Sequence, residues 1–72
     1  MHIKMKQYTN QEFILLGKLI ISIELLRDGH VSRNAVAMEL DIDPDLITPF
    51  MNKLGSFKAN VLAEQLFDKI MK

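Results

Sequence analysis

Cysteine is absent from the 72 residues of this sequence, and glycine and proline are scarce, with three and two residues. Without cysteine the chain has neither a disulfide framework nor a thiolate metal site. The three glycines are isolated at positions 17, 29 and 55, which excludes a glycine-rich phosphate-binding loop. Three signatures by which a chemical function is often recognised are therefore missing.

A net charge is also lacking, because nine basic residues balance nine acidic ones. A domain dedicated to nucleic acids usually carries a basic excess. The charges are nevertheless grouped, since an acidic run without an intervening cation follows a mildly basic first half. This run consists of Glu39, Asp41, Asp43 and Asp45. The simplest interpretation of such a run is a solvated face.

A long uninterrupted hydrophobic run is missing as well. The longest apolar stretch, residues 13–26, is broken by Gly17, Lys18, Ser22 and Glu24. It falls short of the roughly 20 apolar residues that span a bilayer. It also begins too late for a signal peptide and lacks a small-residue cleavage site. We expect a soluble cytoplasmic protein without a membrane partner.

The sequence is rich in hydrophobic residues, 49% of the chain, and their spacing is helical. This spacing predicts an all-α fold, a single small four-helix domain. The helices are expected at about residues 10–28, 33–40, 44–54 and 57–71. Residues 1–8 alternate polar and apolar side chains, which is typical of either a short strand or a flexible arm.

Local signals define most of the predicted helix ends. Thr9 and Glu12 form a capping box at the start of the first helix, and Gly29 stops it. Ser32 and Ser56 are the expected N-caps of the second and fourth helices.

The third helix is ambiguous because Pro49 removes a hydrogen bond and crowds a preceding carbonyl. Either one helix over 44–54 kinks at Pro49, or Thr48 caps a new helix after a short turn over 44–47. We favour the single kinked helix.

The first helix carries apolar residues on two faces. One broad face, which we assign to the core, consists of Phe13, Leu16, Leu19, Ile20, Ile23 and Leu26. A second stripe on roughly the opposite side consists of Ile14, Ile21 and Leu25, with Gly17 beside it. One face is enough to close a small core, so the second stripe predicts a homodimer interface. The alternative is that the C-terminal helix covers both faces.

No group of residues predicts catalysis. His2 and His30 lie at a terminus and in a loop, without a carboxylate at ligand spacing on a shared helix face. Asp41, Asp43 and Asp45 alternate as in a calcium loop, but the glycine and the closing glutamate of such a loop are missing. We expect no enzyme activity, no metal or cofactor, and no small-molecule substrate.

One stretch contains a recognisable motif. Val36 and Ala37 inside the second helix are followed by an apolar–Asp–apolar turn at 40–42 and by Ile47. This order resembles the helix-turn-helix of phage-repressor-like DNA-binding proteins over residues 33–53, with aspartate where that family often has glycine. In such a motif a turn of about 3–4 residues locks two helices at a steep angle.

The resemblance implies a small DNA-binding transcription regulator that acts as a dimer on duplex DNA. Carried over by position, the residues facing DNA would be Asp43, Pro44, Asp45, Thr48, Pro49, Asn52 and Lys53. Phosphate contacts would come from Lys4, Lys6, Arg33, Lys53 and Lys58. The chain departs from the family here, because two carboxylates would face a negatively charged duplex.

The alternative is a non-catalytic protein-interaction module or inhibitor on the same scaffold. Glu39, Asp41, Asp43 and Asp45 would then dock on a basic surface of a partner protein. Charge neutrality and the acidic run favour this alternative, whereas the motif favours DNA binding.

Overall fold

The computed structural model describes residues 7–71. These residues form four α-helices, α1 (Asn10–Arg27), α2 (Arg33–Leu40), α3 (Thr48–Met51) and α4 (Ala59–Ile70). A short 3₁₀ helix, Pro44–Leu46, lies between α2 and α3. No β-strand occurs in this range, and the all-α prediction is confirmed. The prediction of a strand or arm falls almost entirely on residues 1–6, outside the described residues.

Both ends of α1 are set by local hydrogen bonds. The Thr9 side-chain oxygen accepts from the Glu12 backbone N–H at 3.1 Å, and the Glu12 carboxylate accepts from the Thr9 N–H at 2.8 Å. The predicted capping box is therefore confirmed. At the other end Gly29 has a φ of +78°, and the His30 N–H donates to the Leu25 carbonyl at 2.9 Å. This is the Schellman motif, which needs a left-handed residue and favours glycine.

The expectation of a single kinked helix over 44–54 is wrong. The chain instead forms the 3₁₀ helix and then α3, which begins at Thr48. Pro49 has no N–H for the carbonyl four residues earlier, and its ring crowds that carbonyl, so an α-helix that starts at Pro44 cannot continue. Thr48 does not act as a cap, because it is the first residue of α3 and Ile47 occupies the N-cap position without a side-chain capping bond. The Thr48 hydroxyl instead donates to the Pro44 carbonyl at 3.3 Å.

The predicted start of the last helix at Phe57, with Ser56 as its cap, is also wrong. Helix α4 begins at Ala59, and its N-cap, Lys58, makes no side-chain capping bond. The Ser56 and Phe57 N–H groups both donate to the Lys53 carbonyl at 3.1 Å. Ser56 and Phe57 therefore belong to the turn that follows α3, and α4 begins later than predicted.

The core lies between α1 and α4 and is closed by α2, the 3₁₀ helix and α3. Its buried residues are Leu19, Ile23, Leu26, Val36, Ala37, Ile47, Phe50, Leu54, Ala59, Leu62, Ala63, Leu66 and Phe67. Phe13, which we expected in the core, is 55% exposed. It lies in the first turn of α1, where the Tyr8 ring packs edge-to-face on it.

Helix α4 does not cover both faces of α1, so that alternative is wrong. The second stripe stays open, with Ile14 and Ile21 about 60% exposed and Leu25 exposed as well. Between residues 7 and 71, none of the helices combines the length and the apolar character needed to cross a membrane.

Candidate interaction surfaces

The turn after α2 has a defined geometry. Asp41 adopts a left-handed conformation, with φ 55° and ψ 49°, and the Ile42 N–H donates to the Ala37 carbonyl at 3.0 Å. The hydrogen bonds are those of the Schellman motif that ends α1 at Gly29. Aspartate adopts this conformation less easily than glycine, but more easily than most residues.

The apolar positions of the predicted motif pack inward. Val36, Ala37 and Ile47 are buried together with the neighbouring Phe50, and Leu40 and Ile42 are partly buried against them. Such packing fixes α2 relative to the 3₁₀ helix and α3. The helix-turn-helix itself stays a prediction, because its second helix is divided into a three-residue 3₁₀ helix and a four-residue α-helix.

Two of the predicted DNA contacts are bonded to each other. The Arg33 guanidinium donates through Nη1 to the Thr48 hydroxyl and through Nη2 to the Asn34 amide oxygen. Arg33 is partly buried, so this bond ties the start of α2 to the start of α3. The position of Thr48 beside Arg33 is a tertiary contact, fifteen residues apart in sequence, and local patterns carry no signal for it.

The four predicted docking carboxylates are all exposed and lie around the turn. Glu39 lies in the last turn of α2, Asp41 is the residue in the left-handed conformation, and Asp43 and Asp45 follow it. Asp43 Oδ1 accepts from the Asp45 N–H at 2.9 Å, which caps the 3₁₀ helix. In the described part of the chain, none of the four carboxylates forms a salt bridge.

The remaining DNA-contact candidates are spread over the surface. Asn52, Lys53 and Lys58 are exposed between the end of α3 and the start of α4, whereas Lys4 and Lys6 lie outside the described residues. Lys53 and Lys69 each place Nζ 5.7 Å from the centroid of the buried Phe50 ring, which is within cation–π range. Local sequence patterns give no signal for Lys69, because its proximity to Phe50 is a tertiary contact between residues 19 positions apart.

The open stripe of α1 borders a groove. This groove, of about 440 Å³, lies between α1 and α2 and is predominantly apolar. It is lined by Lys18, Ile21, Ser22, Leu25, Val31, Ala35, Val36 and Glu39. Sequence reasoning identified the α1 wall through Ile21 and Leu25, but not the α2 wall.

Within residues 7–71, no group of three or more His, Asp or Glu side chains is placed so that it could hold a metal ion. The surfaces that remain are the acidic turn, the scattered cations and the apolar groove. No protein-family model, curated protein or solved structure matches this chain.

Proposed function

We propose that this chain is a non-catalytic protein-interaction module that docks on a basic surface of a partner protein. The docking surface is the acidic surface formed by Glu39, Asp41, Asp43 and Asp45. One observation carries the proposal: these carboxylates are exposed and form no salt bridge within residues 7–71, and two of them occupy positions that the helix-turn-helix resemblance would direct toward DNA.

The acidic surface is held in place rather than presented on a loose loop. The Schellman bonds fix Asp41, and the capping bond from the Asp45 N–H fixes Asp43. Like charges held close together repel one another, and a basic partner relieves that repulsion while steering association. Met38 in the last turn of α2 is 82% exposed and adds a flexible apolar contact beside the charges.

The same surface is poorly suited to reading a duplex. Base edges are read mainly by Arg, Lys, Asn and Gln, whereas the exposed residues here include Asp43, Asp45 and Pro49. The Thr48 hydroxyl is already bonded to Arg33 and Pro44. A phosphate backbone approaching α3 would also meet the acidic surface, which raises the electrostatic cost of binding.

The proposal is tested by fluorescence anisotropy with a labelled helical peptide rich in lysine, arginine and leucine. Replacing both Asp43 and Asp45 by Asn should weaken binding about twofold to thirtyfold, since each exposed charge pair contributes about 0.2–1 kcal/mol. The matched control replaces Glu24 and Glu64 by Gln, which removes the same charge from exposed positions on α1 and α4. Equal losses in both variants would mean that only net charge matters, and would refute the docking surface.

A DNA-binding dimeric transcription regulator is the second candidate. The left-handed Asp41 favours it, because this residue stands where the resemblance places glycine, and the apolar positions around it pack inward. In this case Arg33, Lys53, Lys58 and the N-terminal lysines would contact phosphates.

Anisotropy against random duplex DNA at low and moderate salt separates the two candidates. DNA binding should fall steeply with salt because phosphate contacts release counterions. The double Asp43→Asn, Asp45→Asn variant should then bind DNA equally well or better, whereas Lys53→Gln should bind less well. If the protein-docking function is correct, the double aspartate variant should instead lose affinity for the basic peptide. If that variant bound the basic peptide as well as the wild type, the docking function would be wrong; if DNA affinity did not fall with salt, the DNA-binding candidate would be wrong.

A further inference from the structure

We infer that the groove between α1 and α2 is a homodimer interface, in which each copy inserts the outer face of α1 into the groove of the other. Ile14, Lys18, Ile21 and Leu25 follow one another along this face, which at 1.5 Å per residue is about 16 Å long. The aliphatic members are exposed, and the groove runs beside them, with Ala35 and Val36 on its far wall. A helix bound in the groove would cover both the exposed aliphatic face of α1 and the apolar lining of the groove.

The glycine on this helix supports a helical occupant. A Cβ at Gly17 would meet nothing within 4 Å, so the packing of the chain itself gives no reason for glycine there. Glycine inside a helix costs about 1 kcal/mol relative to alanine. Close approach of another backbone is a common reason for a glycine at such a position.

The charges of the groove favour a second copy as its occupant. The groove carries one cation, Lys18, and one anion, Glu39, and neither forms a salt bridge among the described residues. A uniformly basic or acidic foreign helix would be attracted by one of them and repelled by the other. In a two-fold dimer residue i contacts residue j and j contacts i, so Lys18 of each copy meets Glu39 of the other.

This interface goes beyond the proposed function and does not depend on it. Glu39 lies at the border of the groove and the acidic surface, but Asp41, Asp43 and Asp45 do not line the groove. The Asp43→Asn, Asp45→Asn variant should therefore keep its oligomeric mass even if it loses a basic partner, and the two hypotheses fail separately.

The first test is the mass of the full chain by sedimentation velocity over a range of concentrations. We expect about twice the chain mass of 8.3 kDa, with Ile21→Glu weakening the dimer at least tenfold by placing a charge in an apolar contact. Ile21 is 60% exposed, so the variant should keep its helical circular dichroism. The control is Phe57→Glu, which changes another exposed apolar residue outside the groove and should leave the dimer intact. A monomer at every concentration would overturn the inference.

The second test uses charge exchange and does not rely on Ile21. Lys18→Glu alone and Glu39→Lys alone should each weaken the dimer roughly tenfold, because like charges then face each other across the interface. An equimolar mixture of the two variants should dimerise again, since the mixed pair restores one cation opposite one anion at both contacts. A pair formed within one chain would not be rescued by mixing. Failure of the mixture to dimerise would refute the proposed contact.

Discussion

Helices α1 and α4 pack against each other along the core, yet they distribute their apolar residues differently. In α4 the apolar side chains gather on one buried face, and the exposed residues Glu64 and Gln65 lie on the other. In α1 only Leu19, Ile23 and Leu26 are buried, while the stripe that includes Ile21 faces outward. A helix with one apolar face is satisfied by one neighbour, whereas a helix with two needs a second. The fold therefore uses only part of the apolar surface of α1.

The two helices also differ in how their ends are defined. The capping box of Thr9 and Glu12 starts α1, and the left-handed Gly29 ends it. Helix α4 starts after Lys58 without any side-chain capping bond. Local hydrogen bonds thus define α1, whereas burial of residues such as Leu62 defines α4. This difference can be tested by substitutions on each helix.

The largest effect should come from truncating a buried residue on either helix. Leu19 and Leu62 are both fully buried, so Leu19→Ala and Leu62→Ala should each lower the free energy of unfolding by about 2–5 kcal/mol. Ile14→Ala removes a comparable aliphatic side chain from the exposed stripe. It should change the free energy of unfolding of the monomer by less than about 0.5 kcal/mol. Urea unfolding at low protein concentration measures all three. A large loss for Ile14→Ala would mean that the stripe is covered within the chain.

A smaller effect on stability should distinguish the N-terminal ends of α1 and α4. Thr9→Ala removes a side-chain cap and should destabilise the protein by about 1 kcal/mol. Lys58→Asp places a capping carboxylate at a residue that already has extended N-cap dihedrals, φ −67° and ψ 149°, and should stabilise it by up to about 1 kcal/mol. Thr9→Ser and Lys58→Ala are the controls, since the first keeps the cap and the second adds none. Thermal unfolding of the four variants would reveal whether α4 lacks a cap in solution. If Lys58→Asp did not raise the stability, α4 would already have a capping bond.

The same contrast explains which elements the sequence predicted. The ends of α1 and α2 were readable because Thr9, Gly29 and Ser32 act within a few residues of their own position. The start of α4 was not readable, because Ser56 is a good cap in isolation but is held in the turn that follows α3. Similarly, Pro49 showed that the third helix was perturbed without showing whether it would kink or divide.

The candidate surfaces divide in the same way. The acidic surface could be predicted because its four carboxylates lie within residues 39–45, around one turn. The α2 wall of the groove and the bond between Arg33 and Thr48 could not, because they depend on how separate elements pack. A local pattern predicts which side chains are close in sequence, but not which distant side chains will share a surface.

The smallest predicted effect concerns Tyr8, which joins the two helices at one end of the core. Its ring packs edge-to-face on Phe13 of α1 and on Phe67 of α4, with ring centroids 5.2 Å apart in both pairs. Its hydroxyl is buried, and no group within residues 7–71 forms a hydrogen bond with it. Tyr8→Phe keeps both ring contacts and removes an unsatisfied polar group, so it should leave the stability unchanged or raise it by up to about 1 kcal/mol.

The matched variant for this position is Tyr8→Leu, which removes the hydroxyl and the aromatic ring together. Each edge-to-face pair contributes about 0.5–1.5 kcal/mol beyond burial, so Tyr8→Leu should be less stable than Tyr8→Phe in the same urea titration. If Tyr8→Phe were instead the destabilised variant, the hydroxyl would have a partner in solution, and the end of the core between α1 and α4 would be closed by a hydrogen bond as well as by aromatic packing.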